Sequence, residues 1–314
     1  MRYSLAHILP AVFATSVFSH QVPIRSEVHE VAQVPNLWFE NVALRSNGDL
    51  VLNTMGDGRV FSFDPTKPSI KPQSIAKIDG VNALFGIAEV GNDVFAVLSG
   101  NFTDRPQNNT MNLSLLNLQN GKSRVHTVFE KSKFGPVNGI TALPNHKHII
   151  LGADSIRGEI LRIDTSSGHI RVAIQDEQLS ATENSPFGAG VNGIKIFKDY
   201  LYFTNTARQT FGRVKIDKLG NKVGEVEIIY KVEKGSTSAP DDFVMDKHGN
   251  AYVAFWNDEL VKVTPEGEVS VLVKGLLAGP TSVVISQDEK RLYVATAGQG
   301  NDKVTGGQIV EVKL

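Results

Sequence analysis

Residues 191–216 read VNGIKIFKDYLYFTNTARQTFGRVKI, and the spacing inside this stretch decides the fold. Asn192-Gly193-Ile194 opens an apolar run. A turn leads to Leu201-Tyr202-Phe203, and a second turn leads to Gly212-Arg213-Val214-Lys215-Ile216. Valine, isoleucine and aromatic side chains between tight turns mark short antiparallel strands. The same phrase recurs five times. Its openings are Glu40-Asn41-Val42, Phe85-Gly86-Ile87, Asn138-Gly139-Ile140, Asp241-Asp242-Phe243 and Thr281-Ser282-Val283. The third column is always apolar, so the six openings share one register.

Each opening is followed by two strand-like segments. Leu50–Leu52 pairs with Arg59–Phe63, Ile149–Leu151 with Glu159–Ile163, Ala251–Val253 with Glu259–Val263, and Leu292–Val294 with Gly307–Val312. The second copy, Val94–Val97, is separated from Leu113–Leu116 by a polar insertion. A period of roughly 40–55 residues is that of a four-stranded propeller blade. Inner strands read as near-continuous apolar sequence and outer strands alternate, as expected when blades pack face to face. A two-sheet sandwich would supply many strands but no common register. The sequence therefore predicts an all-β, six-bladed β-propeller occupying residues 21–314 as one domain. The surplus segment Glu27–Val34 is expected to close the last blade beside Gln308–Leu314, leaving no long unpaired edge.

Composition narrows the function. With 32 Lys and Arg against 33 Asp and Glu, the chain carries no basic stripe, which argues against nucleic acid as a partner. Cysteine is absent, which excludes disulfides, thiolate metal sites and a Cys nucleophile. Residues 1–20 have a basic Arg2, a mostly apolar stretch from Leu5 to Phe18 and small residues at Ala14, Ser16 and Ser19. They read as a signal peptide, too short to anchor in a membrane. Three sequons, at Asn101, Asn108 and Asn112, fit a glycoprotein of the secretory pathway, secreted or lumenal. None of the eight histidines stands in the opening column, and no Gly-X-Ser-X-Gly elbow, Walker or dinucleotide fingerprint occurs.

If the six units are radial, the first column converges at one mouth. Glu40, Asn138, Asn192 and Asp241 then bring two acids and two amides from four units, with Thr281 a further polar neighbour. Such oxygens suit Ca²⁺, Mg²⁺, Mn²⁺ or Zn²⁺ and leave room for a substrate. Asp242, beside Asp241, adds a carboxylate that needs a cation or hydrogen bonds against repulsion. Taken singly, an Asn-Gly or Asp at a strand junction more often satisfies local backbone groups. Shared register is what favours a site. Trp38, Phe39, Phe85, Phe187 and Phe243 are core or pocket wall, with Phe85, in the first column, the leading wall residue.

At these residues the chain resembles the gluconolactonase and regucalcin (senescence marker protein) family of six-bladed propellers. That resemblance implies a divalent cation held by Glu40, Asn138, Asn192 and Asp241, with Asp241 as a possible general base in lactone hydrolysis. Two positions depart from the family pattern: Asn41-Val42 follows Glu40 in place of Gly-Pro, and Asp242 replaces the glycine of Pro-Asp-Gly. The stretches from Glu40 to Gly48 and from Pro240 to Phe243 are more similar to secreted-type fungal propellers, some related to hetero-Diels–Alderases of natural-product pathways. This similarity implies a cofactor-free cyclase of specialised metabolism that joins a quinone methide to a terpene alkene in the top-face pocket. Asp241, Glu40 and Asn192 would be catalytic, and Phe85, Asn138, Asp242, Thr281 and Trp38 would bind substrate. A metal-dependent lactonase and a non-catalytic ligand-binding propeller are the alternatives.

Overall fold

The computed structural model describes residues 27–314 except 104, 133, 184, 186–187, 257 and 300–305; residues 1–20 and Phe187 lie outside the described residues. The chain is strand after strand, broken only by two three-residue 3-10 turns among the described residues. It begins with β1 (Val28–Pro35). An antiparallel group follows, β2 (Trp38–Leu44), β3 (Leu50–Met55), β4 (Arg59–Phe63) and β5 (Gln73–Lys77). Next come β6 (Ala83–Gly91), β7 (Val94–Gly100), β8 (Met111–Asn117) and β9 (Arg124–Ser132). The third group is β10 (Val137–Leu143), β11 (His146–Asp154), β12 (Glu159–Asp164) and β13 (Ile170–Gln175). The fourth is β14 (Val191–Phe197), β15 (Tyr200–Asn205), β16 (Thr210–Ile216) and β17 (Lys222–Lys231). The fifth is β18 (Ala239–Met245), β19 (Ala251–Trp256), β20 (Glu259–Val263) and β21 (Val269–Lys274). Last are β22 (Pro280–Ile285), β23 (Arg291–Thr296) and β24 (Gly306–Lys313).

Closure follows the expectation: β1 pairs antiparallel with β24, Val28 opposite Val312 and Pro35 opposite Gly306. The last sheet thus runs β1-β24-β23-β22 and fastens the two ends of the described chain together. The count of separate sheets differs from the six expected. Four four-stranded sheets stand alone, while β2 to β9 share one eight-stranded sheet. The cause is a single pairing, Met55 opposite Ala83, which stitches β3 to β6.

The architecture is propeller-like. The innermost strands β2, β6, β10, β14, β18 and β22 each touch the next, and β22 returns to β2. Apolar wedges fill the gaps between consecutive groups: Leu151 and Ile160 against Ile194 and Phe203, and Phe211 against Phe243 and Val253. A further wedge, Val51 and Val60 against Leu84 and Phe95, separates the two halves of the eight-stranded sheet. The second strand of each group is pressed on both faces, so Leu50–Met55 is buried throughout. Outer strands are half-exposed, as Lys222–Lys231 shows by its alternating burial. One expectation needs correcting: the openings do not precede the inner strands. They lie within the innermost strands, and segments such as Leu50–Leu52 are second in their sheets.

Candidate active site at the mouth of the ring

At every opening the antiparallel ladder skips. The breaks fall between Phe39 and Asn41, Leu84 and Ile87, Val137 and Ile140, Val191 and Ile194, Pro240 and Phe243, and Pro280 and Ser282. A bulge leaves a residue unpaired and re-aims its side chain. Six bulges in one register are what frees the first column from the sheets.

The second column packs the axis beneath. A Cβ on Gly86 would stand 2.3 Å from the Asn138 carbonyl oxygen, and one on Gly139 would stand 2.4 Å from that of Asn192. On Gly193 it would meet Asp242 Oδ1 at 2.4 Å. Backbones approach so closely on this side that only glycine fits. The opposite side carries Asn41, Asp242 and Ser282, all buried. Lys195 Nζ donates to Asp242 Oδ1 at 2.5 Å, and Ser282 Oγ donates to Asp242 Oδ2 at 2.9 Å. This plug satisfies both oxygens of a carboxylate that is almost wholly enclosed. The hydrogen bonds and cation that Asp242 needed are therefore present.

Above the plug lies a cavity of about 210 Å³ bordered by Trp38, Glu40, Asn138, Asn192, Thr206, Asp241 and Trp256, with Gly188 and Ala189 at its edge. The four oxygen-bearing residues expected to converge do so. Thr206 Oγ1 accepts from Asn192 Nδ2 at 3.0 Å and donates to the Pro240 carbonyl at 2.9 Å, locking β14 to β18 beside Asp241. Trp38 and Trp256 stack with ring centres 5.6 Å apart and form an apolar wall.

Burial sets the electrostatics. Glu40 is 7% exposed, and desolvation raises its carboxyl from 4.5 to about 7, with the Asp242 charge adding to the rise. The Asn138 amide and the Trp38 indole oppose it, although Trp38 Nε1 itself falls outside hydrogen-bond geometry. Asp241 is raised well above the usual carboxylate range, first by desolvation, then by the charges of Glu40 and Asp242, with Asn192 and Lys195 opposing. Without a cation, the two acids at this mouth resist carrying two negative charges.

Three expected site residues do not border this cavity. Thr281 is fully buried; its hydroxyl donates to the Phe39 carbonyl at 2.7 Å and cannot reach a ligand. Asp242 belongs to the plug and does not border the cavity. Phe85 lines an adjoining cavity instead, and Phe39 and Phe243 are core. Of the sequons, Asn108 is exposed and Asn101 half-buried, but Asn112 is 8% exposed within β8, where a glycan would have to displace packed neighbours. Sequence reasoning missed Thr206, Trp256, Lys195 and the Gly188-Ala189 edge. Trp256 carried a signal, being one of only two tryptophans in the chain.

The donor set fits a hard cation. Two carboxylates and two amide oxygens are offered, and Asn192 Oδ1 is buried with no hydrogen-bond partner among the described residues. Among those residues, no three His, Cys, Asp or Glu side chains cluster as a metal site. The amides would therefore have to share the coordination, a pattern of Ca²⁺, Mg²⁺ or Mn²⁺ more than of Zn²⁺.

Residues 188–298, about a third of the chain, match the family model described as SMP-30/Gluconolactonase/LRE-like region, so the resemblance read from the openings holds. The matched segment contains Asn192 and Asp241 but not Glu40 or Asn138. Among individual relatives, the chain is 25% identical to "Putative hetero-Diels-Alderase asR5" of Sarocladium schorii, over 87% of this chain and 77% of that protein. It is 26% identical to a protein of Phoma sp. that also bears the hetero-Diels-Alderase name, over 90% of this chain and 89% of that one. A calcium-binding regucalcin from Agrobacterium tumefaciens superposes with a TM-score of 0.66 at 16% identity, covering 90% of this chain and 94% of that chain. That last likeness concerns the fold alone.

Proposed function

We propose that this chain is a biosynthetic enzyme, a hetero-Diels–Alderase acting on small molecules at the mouth of a six-bladed propeller. The blade count takes the eight-stranded sheet as two blades joined at Met55 and Ala83. The carrying observation is one apolar-walled cavity into which Glu40 and Asp241 project as acids that favour the protonated state. The naming of both sequence relatives supports the same reading.

The chemistry needs no leaving group. The oxygen and the terminal carbon of a quinone methide bond to the two carbons of an alkene, two σ bonds form, and no atom is lost. A protonated Glu40 or Asp241 donates to the quinone methide oxygen and makes the heterodiene more electron-poor. Trp38 and Trp256 offer a planar apolar wall for its ring, and holding both partners in reacting geometry supplies much of the acceleration. Removing one such donor is expected to cost about 10²–10³ in rate.

The test is a quinone methide generated in situ from an o-hydroxybenzyl alcohol, mixed with a sesquiterpene alkene and the purified protein. One enantiomer of the dihydropyran should dominate on a chiral column, with and without EDTA, and Glu40→Gln should lower the excess. A racemic product at every protein concentration would refute the reading.

A second reading, a metal-dependent lactonase, is favoured by the unpartnered Asn192 Oδ1. A cation held by Glu40, Asn138, Asn192 and Asp241 would polarise a lactone carbonyl, as Lewis acids do. Lactone hydrolysis that EDTA abolishes and Asp241→Ala eliminates would select it over the cyclase. We also propose that residues 1–20 direct the chain into the secretory route, with Asn108 the best-exposed sequon for a glycan.

A further inference from the structure

The central cavity has a larger neighbour. A second cavity of about 420 Å³ is bordered by Phe85, Phe102, Pro106, Pro136 and Ile156, with Ser155 and Arg105 as its polar margin. Asn138, Gly188 and Ala189 border both cavities. Phe102 meets Trp38 edge to face at 6.2 Å, so one aromatic wall continues from the outer lobe into the central one. Together the lobes fall in the range of about 300–1,000 Å³ occupied by small-molecule sites, whereas the central lobe alone falls below it.

The chemistry of the two lobes is opposite. Acids and amides floor the central lobe, while mainly apolar side chains line the outer one, with Ser155 and Arg105 at its margin. Gly188 stands at the shared edge: a Cβ built there meets nothing within 4 Å, and its backbone carries no left-handed strain. Among the described residues, no packing or backbone geometry requires glycine there. The absence of a side chain keeps the shared edge open.

We infer that the two lobes form one bipartite site in which the outer lobe binds an apolar hydrocarbon partner, with Gly188 as the specificity-determining position between them. The inference rests on the cyclase reading and names how its two substrates divide: the oxygen-bearing heterodiene centrally, the alkene outside. The Ser155 hydroxyl is buried without a hydrogen-bond partner among the described residues. It gives the outer lobe one polar point toward which a functionalised hydrocarbon can be oriented.

Calorimetric titration tests this without any chemistry. Farnesene probes the outer lobe and coumarin, a planar ring with a conjugated carbonyl, the central one. Wild-type protein should bind both at once, with farnesene affinity unchanged by saturating coumarin. Ile156→Trp, which fills the outer lobe, and Gly188→Leu should each weaken farnesene by about tenfold or more, with Ile156→Trp leaving coumarin affinity intact. Thermal melts of both variants serve as the folding check. Mutually exclusive binding of the two probes, or unchanged farnesene affinity in both folded variants, would overturn the inference. Simultaneous binding with no stereoselective adduct would keep the bipartite site and reject the cyclase reading, so the two failures are distinguishable.

Discussion

Glu40→Gln is the substitution whose energetic consequence is best defined by the structure. In the folded protein the Glu40 carboxyl sits at about 7 against an ordinary 4.5, mainly because burial disfavours its charge. A difference of about 2.5 corresponds to roughly 3 kcal/mol at 1.36 kcal/mol each. At 7% exposure the side chain has little water to soften that figure. The sign follows from proton counting. Below 4.5 both states are protonated and Glu40 carries no penalty. Between 4.5 and about 7 the folded chain holds a proton that the unfolded chain has released, so stability falls as pH rises. Above about 7 the loss is complete. Glutamine keeps the shape and the contact with Asn138 but does not titrate. Urea unfolding followed by circular dichroism should find Glu40→Gln and wild type nearly equal at about pH 4.5, and the variant more stable by ~2–3 kcal/mol at about pH 8. Parallel pH profiles for the two proteins would refute the assignment of this cost to Glu40. The same titration in millimolar Ca²⁺ reads the alternative function, since a cation that binds the carboxylate would stabilise wild type and not the variant.

Other substitutions probe the frame around the site. Lys195→Met strands the Asp242 carboxylate; with Asp242 3% exposed and Lys195 28% exposed, the loss should be about 2–3 kcal/mol, below the ~3–5 of a fully buried pair. Asp242→Asn added to Lys195→Met should return part of it, and strict additivity in the double-mutant cycle would show that the pair is not coupled. Gly139→Ala puts a methyl group 2.4 Å from the Asn192 carbonyl oxygen and should leave little soluble protein, whereas Gly188→Ala should melt like wild type; equal melts for both would contradict the axial packing. Deleting residues 27–35 uncovers the β24 edge and should promote aggregation in light scattering, and an unchanged melt and particle size would argue against closure by β1. In a secreted preparation, peptide mapping should find glycan at Asn108 and none at Asn112; occupancy at Asn112 would contradict its place in β8.

Much of this molecule was legible because repetition makes register visible. One opening such as Asn192-Gly193-Ile194 is an ordinary turn, but six stacked in register put Glu40, Asn138, Asn192 and Asp241 at one mouth. The terminal strand was legible because Glu27–Val34 had strand character and no partner in its own repeat. Thr281 failed because column position does not fix side-chain direction: its short hydroxyl is captured by the Phe39 and Ala295 carbonyls before it can face the cavity. Asp242 failed for a related reason, since the second column points along the axis, where Lys195 and Ser282 claim both of its oxygens. That column was readable. Gly86, Gly139 and Gly193 are consecutive in it, and three glycines at matched positions announce close backbone approach. Trp256 ends β19 and Thr206 lies in the turn after β15, both outside the innermost strands, so their arrival at the mouth depends on blade geometry that the column pattern does not encode.

The chain has two tryptophans, and both stand in the wall of the central cavity, stacked on each other. Excitation near the red edge of indole absorption therefore interrogates this one location and no other part of the molecule. Any compound that wedges between the rings or displaces water from them should change the emission, with no label attached. A compound library can thus be screened against the native protein by its own glow before a single product has been identified.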